Sequence, residues 1–145
     1  MRIWKLWPQL GVWLSRWRRP TTLGQRGEAE AARFLKKKGY LIVARSDRQR
    51  RGEIDLVAVD GQTIVFVEVK TRRSHEAGHP ADAVDREKQR RLTHLALAYL
   101  KQHGLLECPA RFDVVAVTWP DDASPPSIEH IPNAFEAVGR WQLFS

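Results

Sequence analysis

The sequence has 145 residues, 24 Lys and Arg against 17 Asp and Glu for a formal charge of +7, six Trp and one Cys. A chain of this length suits one domain, and 43% apolar with 28% charged residues excludes a disordered composition. The single Cys excludes an internal disulfide framework or a Cys-based zinc cluster and suits a reducing compartment, so the expected location is the cytoplasm. The charge is uneven: residues 1–27 carry +6, residues 28–91 carry +4 and residues 92–145 carry −3.

Residues 1–21 read as an arm and residues 22–145 as the compact domain. The arm holds four of the six Trp; Ile3, Trp7, Leu10, Leu14 and Trp17 have the spacing of one helical face, a register that Pro8 breaks unless the helix starts there. Arg16, Arg18 and Arg19 fill its last turn. No apolar run approaches the about 18–20 residues that span a bilayer, and no signal-peptide cleavage site follows. Trp beside Arg and Lys suits lipid headgroups and phosphate backbones alike. A membrane contact or a nucleic-acid arm therefore stands beside a plain extension packed on its own domain.

From Thr22 the elements run α-β-β-β-α-β-β. Thr22 and Gln25 have capping-box spacing for a helix that Gly39 stops. Gly24, Glu28, Ala31, Ala32 and Leu35 share a side of that helix, which places Glu28 on or beside its packing face. Tyr40 to Ala44 reads as a strand and Arg45 to Gly52 as a basic, polar turn. Glu53 to Val59 and Thr63 to Lys70 are strands around Asp60-Gly61, a strong hairpin signal. Asp85 caps a helix over Arg86 to His103; Arg111 to Trp119 and Ile128 to Ile131 are strands, and Asn133 to Ser145 reads as a brief helix. The pattern predicts a layered α/β domain.

Alternation places Glu53 with Asp55, and Glu68 with Lys70, on shared strand faces. With a two-residue loop Val59 opposes Gln62, and Glu53 then opposes Glu68. With a four-residue loop Asp55 opposes Glu68 directly. Either even loop puts Asp55, Glu68 and Lys70 on one face. Carboxylates opposed across a sheet repel unless protonated, paired or bridged by a cation. Converging oxygens suit Mg²⁺, and a neighbouring ammonium suits developing phosphate charge. An ordinary Glu68/Lys70 ion pair with Asp55 in solvent explains the same spacing.

The run GEIDLVAVDGQTIVFVEVKTR, with GQRGEAEAARFLKKKGY before it and KQRRLTHLALAYL and RFDVV after it, resembles the YraN-type family of small bacterial proteins. That family is similar to archaeal Holliday-junction resolvases and has the restriction-endonuclease-like fold of the PD-(D/E)xK superfamily, a mixed central sheet flanked by helices. The resemblance covers roughly residues 23–135 and implies a metal-dependent DNA endonuclease that hydrolyses phosphodiesters, with branched DNA as one substrate. Carried over by residue, it makes Asp55, Glu68 and Glu28 ligands of Mg²⁺ or Mn²⁺, adds the backbone carbonyl of Val69, and makes Lys70 the catalytic lysine. Ile54 stands where the superfamily name has Pro, and Ser46-Asp47-Arg48 departs from an Asn-bearing turn. Glu53 reads as a solvated strand-end acid, and Asp113 as a partner for Arg111.

Lys37, Lys38, Arg48 and Arg51 on one side of the acidic hairpin, and Arg72, Arg73, Lys88 and Arg91 on the other, are the candidate nucleic-acid contacts. Lys88 sits four residues before Leu92, either aimed at the site or laid over the core. A catalytically idle module that binds nucleic acid or protein competes with the enzyme; a homodimer is a further expected partner. His75-Glu76-Ala77-Gly78-His79 matches the zinc-protease pattern, which needs both His on one helix face. Gly78 and Pro80 argue against that helix.

Overall fold

The structure, a computed structural model, describes residues 22–73 and 78–139; the arm, residues 74–77 and residues 140–145 lie outside them. Helix α1 spans Leu23–Lys37. Thr22 Oγ1 accepts the Gln25 N–H at 3.1 Å and Gln25 Oε1 accepts the Thr22 N–H at 3.2 Å, the reciprocal cap that the spacing predicts. Gly39, at φ 97, turns the chain into strand β1 (Leu41–Gln49), followed by β2 (Gly52–Asp60) and β3 (Thr63–Arg72). A 3-10 turn at Pro80–Ala83 leads to helix α2 (Arg86–Gln102), β4 (Ala110–Thr118) and β5 (Ser127–Phe135). Asp85 caps α2 by accepting the Lys88 N–H at 2.8 Å.

The sheet has the order β1-β2-β3-β4-β5. Its pairs are antiparallel except β3 with β4, which is parallel. Parallel neighbours need a crossover, and α2 lies in it. Ala31, Ala32 and Leu35 of α1 pack on Leu56, Ala58, Val65 and Val67. Leu92, Leu95, Ala96 and Tyr99 of α2 pack on Val57, Ile64, Phe66 and Phe112 on the opposite face. With both faces covered, the centre of β3 is apolar on both sides. The result is the mixed central sheet flanked by helices expected from the sequence.

Two elements differ from their sequence reading. Residues 45–49, read as part of a turn, continue β1, so the turn is confined to residues 50 and 51. β1 is an edge strand, where charged side chains reach solvent and discourage edge-to-edge pairing. The last strand runs from Ser127 to Phe135 rather than ending at Ile131, and no helix follows among the described residues. This second edge tolerates Pro132. Its register with β4 shifts between Phe112 and Val114, where the Asn133 N–H, at φ 50, donates to Asp113 Oδ1 at 2.9 Å. The fully buried Asp113 also accepts from Arg111 Nε at 3.0 Å and meets His130 Nε2 at 2.7 Å. These bonds hold its carboxyl below the usual range although burial opposes them.

α1 approaches β3 closely at Gly27, where a β-carbon would lie 1.9 Å from Thr71 Oγ1. Alanine in a helix ordinarily gains about 1 kcal/mol over glycine, whereas overpacking costs about 1–3 kcal/mol. Gly27→Ala is therefore expected to lower the urea midpoint; an unchanged or higher midpoint would mean that the contact is not rigid.

Candidate active site

The site forms where β2 and β3 part. Val59 pairs with Ile64 and Asp60 with Thr63 across the Gly61-Gln62 turn, which is the register that sets Asp55 opposite Glu68. The ladder nevertheless ends at Leu56 and Val67. One step further, Asp55 Oδ2 accepts the Val69 N–H at 2.9 Å, so a side chain takes over from the backbone partner. Face alternation breaks at the same place. Leu56 and Ala58 belong to the core beneath α1, while Ile54 shares the core beneath α2 with Val57 and Val59. Strict alternation would put Ile54 on the face of Leu56, so the irregularity in β2 falls at Asp55.

Carboxylate oxygens of Glu28, Glu53 and Asp55 lie within 4.8 Å of one another. Glu53, read from sequence as a solvated acid, is thus a member of the cluster. Glu68 is outside that shared radius and pairs with Lys88 Nζ, which resolves the two readings of Lys88 in favour of the site. Each of three carboxylates has polar or cationic company of its own. Ser46 Oγ donates to Glu28 Oε2 at 2.8 Å and Arg45 lies near enough to favour the charged form. Arg48 Nε lies 3.4 Å from Glu53, and Lys88 serves Glu68. Asp55 forms no ion pair with a described residue and has the Val69 N–H instead. Burial foremost, then the charge of Glu68, push its carboxyl up to about 8, against the Val69 hydrogen bond. Burial likewise raises Glu28, tempered by Ser46.

Ser46 is the contributor that the sequence reading passed over. It is a non-glycine residue at φ 49, a left-handed conformation uncommon outside Gly, Asn and Asp, and that turn of the chain aims its hydroxyl at Glu28. The departure from an Asn-bearing turn was the available signal, because both residue types place a polar group there.

Lys70 lies on the Glu68 face of β3, exposed, and makes no ion pair with any of the four carboxylates. Arg51 and Arg91 are exposed at the neighbouring turn and on α2, and Arg91 packs near Gly52. Arg72 donates to the Gly78 carbonyl at 2.8 Å, and Arg73 pairs with Asp122 at 2.7 Å. Lys37 and Lys38 are not brought to the site: ten residues of helix, about 15 Å, separate Lys38 from Glu28, and Lys38 Nζ meets His130 Nδ1 at 2.8 Å. Of the zinc-protease pattern, residues 75–77 lie outside the described residues. Gly78 has φ 78 and His79 lies in no helix. Among the described residues no helix is long and apolar enough to cross a membrane.

The fold and site define a small α/β domain that gathers carboxylates at the parted end of a hairpin and rims them with cations. Residues 27–117 match the uncharacterised protein family UPF0102. The chain is similar to a UPF0102 protein of Rhodopirellula baltica, 52% identical over 120 residues that cover 81% of this chain and 72% of the relative. It is 53% identical to one of Geobacter sulfurreducens, over 79% of this chain and 88% of the relative. A third, of Geotalea uraniireducens, is 51% identical over 79% and 90%. The chain belongs to the UPF0102 family.

Between the ordinary carboxylate value and about 8, folded Asp55 keeps a proton that the unfolded chain releases. The folded state then holds more protons, so stability in chelator falls as pH rises through this window and levels off above it. Urea denaturation across pH should show that decline in wild type and a flatter profile in Asp55→Asn; equal slopes would mean that Asp55 titrates normally.

Proposed function

We propose that the protein is a metal-dependent DNA endonuclease that hydrolyses phosphodiesters, branched DNA among them. The observation that carries this reading is the cluster of Glu28, Glu53 and Asp55 oxygens within 4.8 Å, beside Glu68 and on the strand that bears Lys70. Three hard oxygen donors, among them an Asp55 carboxyl that burial and the charge of Glu68 raise, fit Mg²⁺ or Mn²⁺ better than a softer metal. Asp55 with Glu28 and Glu53 would hold the ion, with Glu68 and the Val69 carbonyl as further oxygens. When bound, the metal polarises the scissile phosphate and makes a water more acidic.

The chain's own groups do the remaining work. Asp55, freed of its proton, keeps the Val69 N–H and so fixes the end of β3. Ser46 holds Glu28 in the cluster, and Lys88 neutralises Glu68. Lys70, unengaged by these carboxylates, is available to a phosphate oxygen on the same face, where an ammonium stabilises charge that grows as water attacks. Arg48, Arg51, Arg72, Arg73 and Arg91 supply positive potential for the backbone, which predicts affinity that falls steeply with salt. The resemblance to the restriction-endonuclease-like superfamily supports the same assignment and is the ground for DNA and for branched substrates.

The test is cleavage of duplex, single-stranded and four-way DNA in Mg²⁺ or Mn²⁺. Wild type is expected to cut at least one of these, and Asp55→Ala and Lys70→Ala to lose about a hundredfold or more. Absence of metal-dependent cutting on every substrate, or equal cutting by both variants, would overturn the catalytic reading in favour of the binding module.

A further inference from the structure

Three rows of residues cross β3, β4 and β5 on the face that carries Glu68. The first is Glu68, Val114 and Ile131; the second is Lys70, Ala116 and Glu129; the third is Arg72, Thr118 and Ser127. Successive rows lie about 6.6 Å apart along the strands. Val114 is wholly buried in the core beneath α2 and Ile131 packs against that core, so the first row is filled. In the second, Ala116 has only a methyl between the side chains of Lys70 and Glu129. A cleft of about 360 Å³ opens there, lined by Arg72, His79, Ala116, Thr118, Ser127 and Glu129, at the carboxyl ends of the parallel pair β3 and β4. Its volume falls in the range of small-ligand pockets.

We infer that this cleft receives one unpaired nucleotide of the DNA strand bound at Lys70, an inference that rests on the nuclease reading and names a feature of its substrate. The chemistry of the lining fits that ligand. The Arg72 guanidinium and the His79 ring offer flat surfaces of the kind on which unstacked bases rest. Glu129 is an acceptor for the exocyclic amine of adenine or cytosine, whereas thymine has no such amine and offers a carboxylate only its N3–H, set between two repelling carbonyl oxygens. His79 Nε2 stands 3.9 Å from Glu129 Oε1, an ion-pair distance when the ring is protonated and longer than a hydrogen bond, which leaves hydrogen-bond positions on the exposed carboxylate. The buried Thr118 and the exposed Ser127 add polar side chains to the lining. A base stacked within a duplex cannot reach such a recess, whereas a flipped, bulged or terminal one can. The register places the recess in the row of Lys70, next to the phosphate that this lysine would contact.

The experiment is binding, followed by fluorescence anisotropy, of a duplex that is fully paired or interrupted by one unpaired nucleotide, with Ca²⁺ replacing Mg²⁺. Wild type is expected to bind the interrupted duplex about tenfold more tightly, and an unpaired adenosine more tightly than an unpaired thymidine. Ala116→Leu, which fills the floor of the cleft, should abolish the preference for the interruption and leave binding of the paired duplex unchanged. Glu129→Ala, which removes the acceptor at an exposed position, should abolish the preference for adenosine. Equal binding of both duplexes by wild type, or preferences that survive both substitutions, would overturn the inference. So would loss of the preference in the presence of equimolar free deoxyadenosine monophosphate, which would make the occupant a free nucleotide. Cleavage that Asp55→Ala abolishes, without any preference, overturns the pocket alone; a preference without cleavage by wild type overturns the nuclease reading alone.

Discussion

Repulsion among carboxylates gathered at one end of a hairpin is the constraint on which the rest of the site depends. Glu28, Glu53 and Asp55 share a space 4.8 Å across, and Glu68 adds its charge to the field that Asp55 and Glu28 feel. The surrounding chain answers most of this charge locally. Ser46 and Arg45 attend Glu28, Arg48 attends Glu53 and Lys88 attends Glu68. Asp55 is half-buried and forms no ion pair with a described residue, and burial with the charge of Glu68 raises its carboxyl to about 8 despite the more distant Lys88. One acid without an ion pair beside three that have polar or cationic partners is the arrangement on which the proposed metal site rests.

The fold makes that concentration affordable by fixing it on rigid elements. Two helices cover the sheet from opposite faces, and each contributes one member of the site: α1 brings Glu28, α2 brings Lys88. The Gly27 contact with Thr71 holds α1 against the strand that carries Glu68 and Lys70. At the other end of the sheet, Asp113 ties β4 to β5 through His130 and the Asn133 N–H. This second acid is as deeply buried as any group in the protein, yet it is fully partnered and remains below the usual carboxylate range. Asp113 and Asp55 thus shift in opposite directions, the one lowered by its partners and the other raised by burial and Glu68.

Much of this was legible in the sequence. The capping box at Thr22, the Asp85 cap and the Asp60-Gly61 turn fixed three boundaries through local chemistry, and parity along the strands joined Asp55 to Glu68 and Glu68 to Lys70. The turn alone left two registers open, and the pairing of Asp60 with Thr63 decides between them. Other features depend on tertiary context. Residues 45–49 look like a turn because they are polar and charged, but an edge strand accepts such residues. Glu53 and Asp55 are two apart and would share a face in any regular strand; the irregularity at Asp55, which brings them to Glu28, leaves no periodic trace. Lys88 could reach Glu68 only once α2 was laid across β3, and the weight of Lys37 and Lys38 in the charge count did not show that they lie a helix length away.

The most direct test of the account is anomalous diffraction from crystals soaked in Mn²⁺ above the pH at which Asp55 gives up its proton. The account predicts an anomalous peak in contact with Asp55 and with Glu28 or Glu53, lost in crystals of Asp55→Asn. Crystals that leave these carboxylates without a peak, or that show an equal peak after Asp55→Asn, would contradict it.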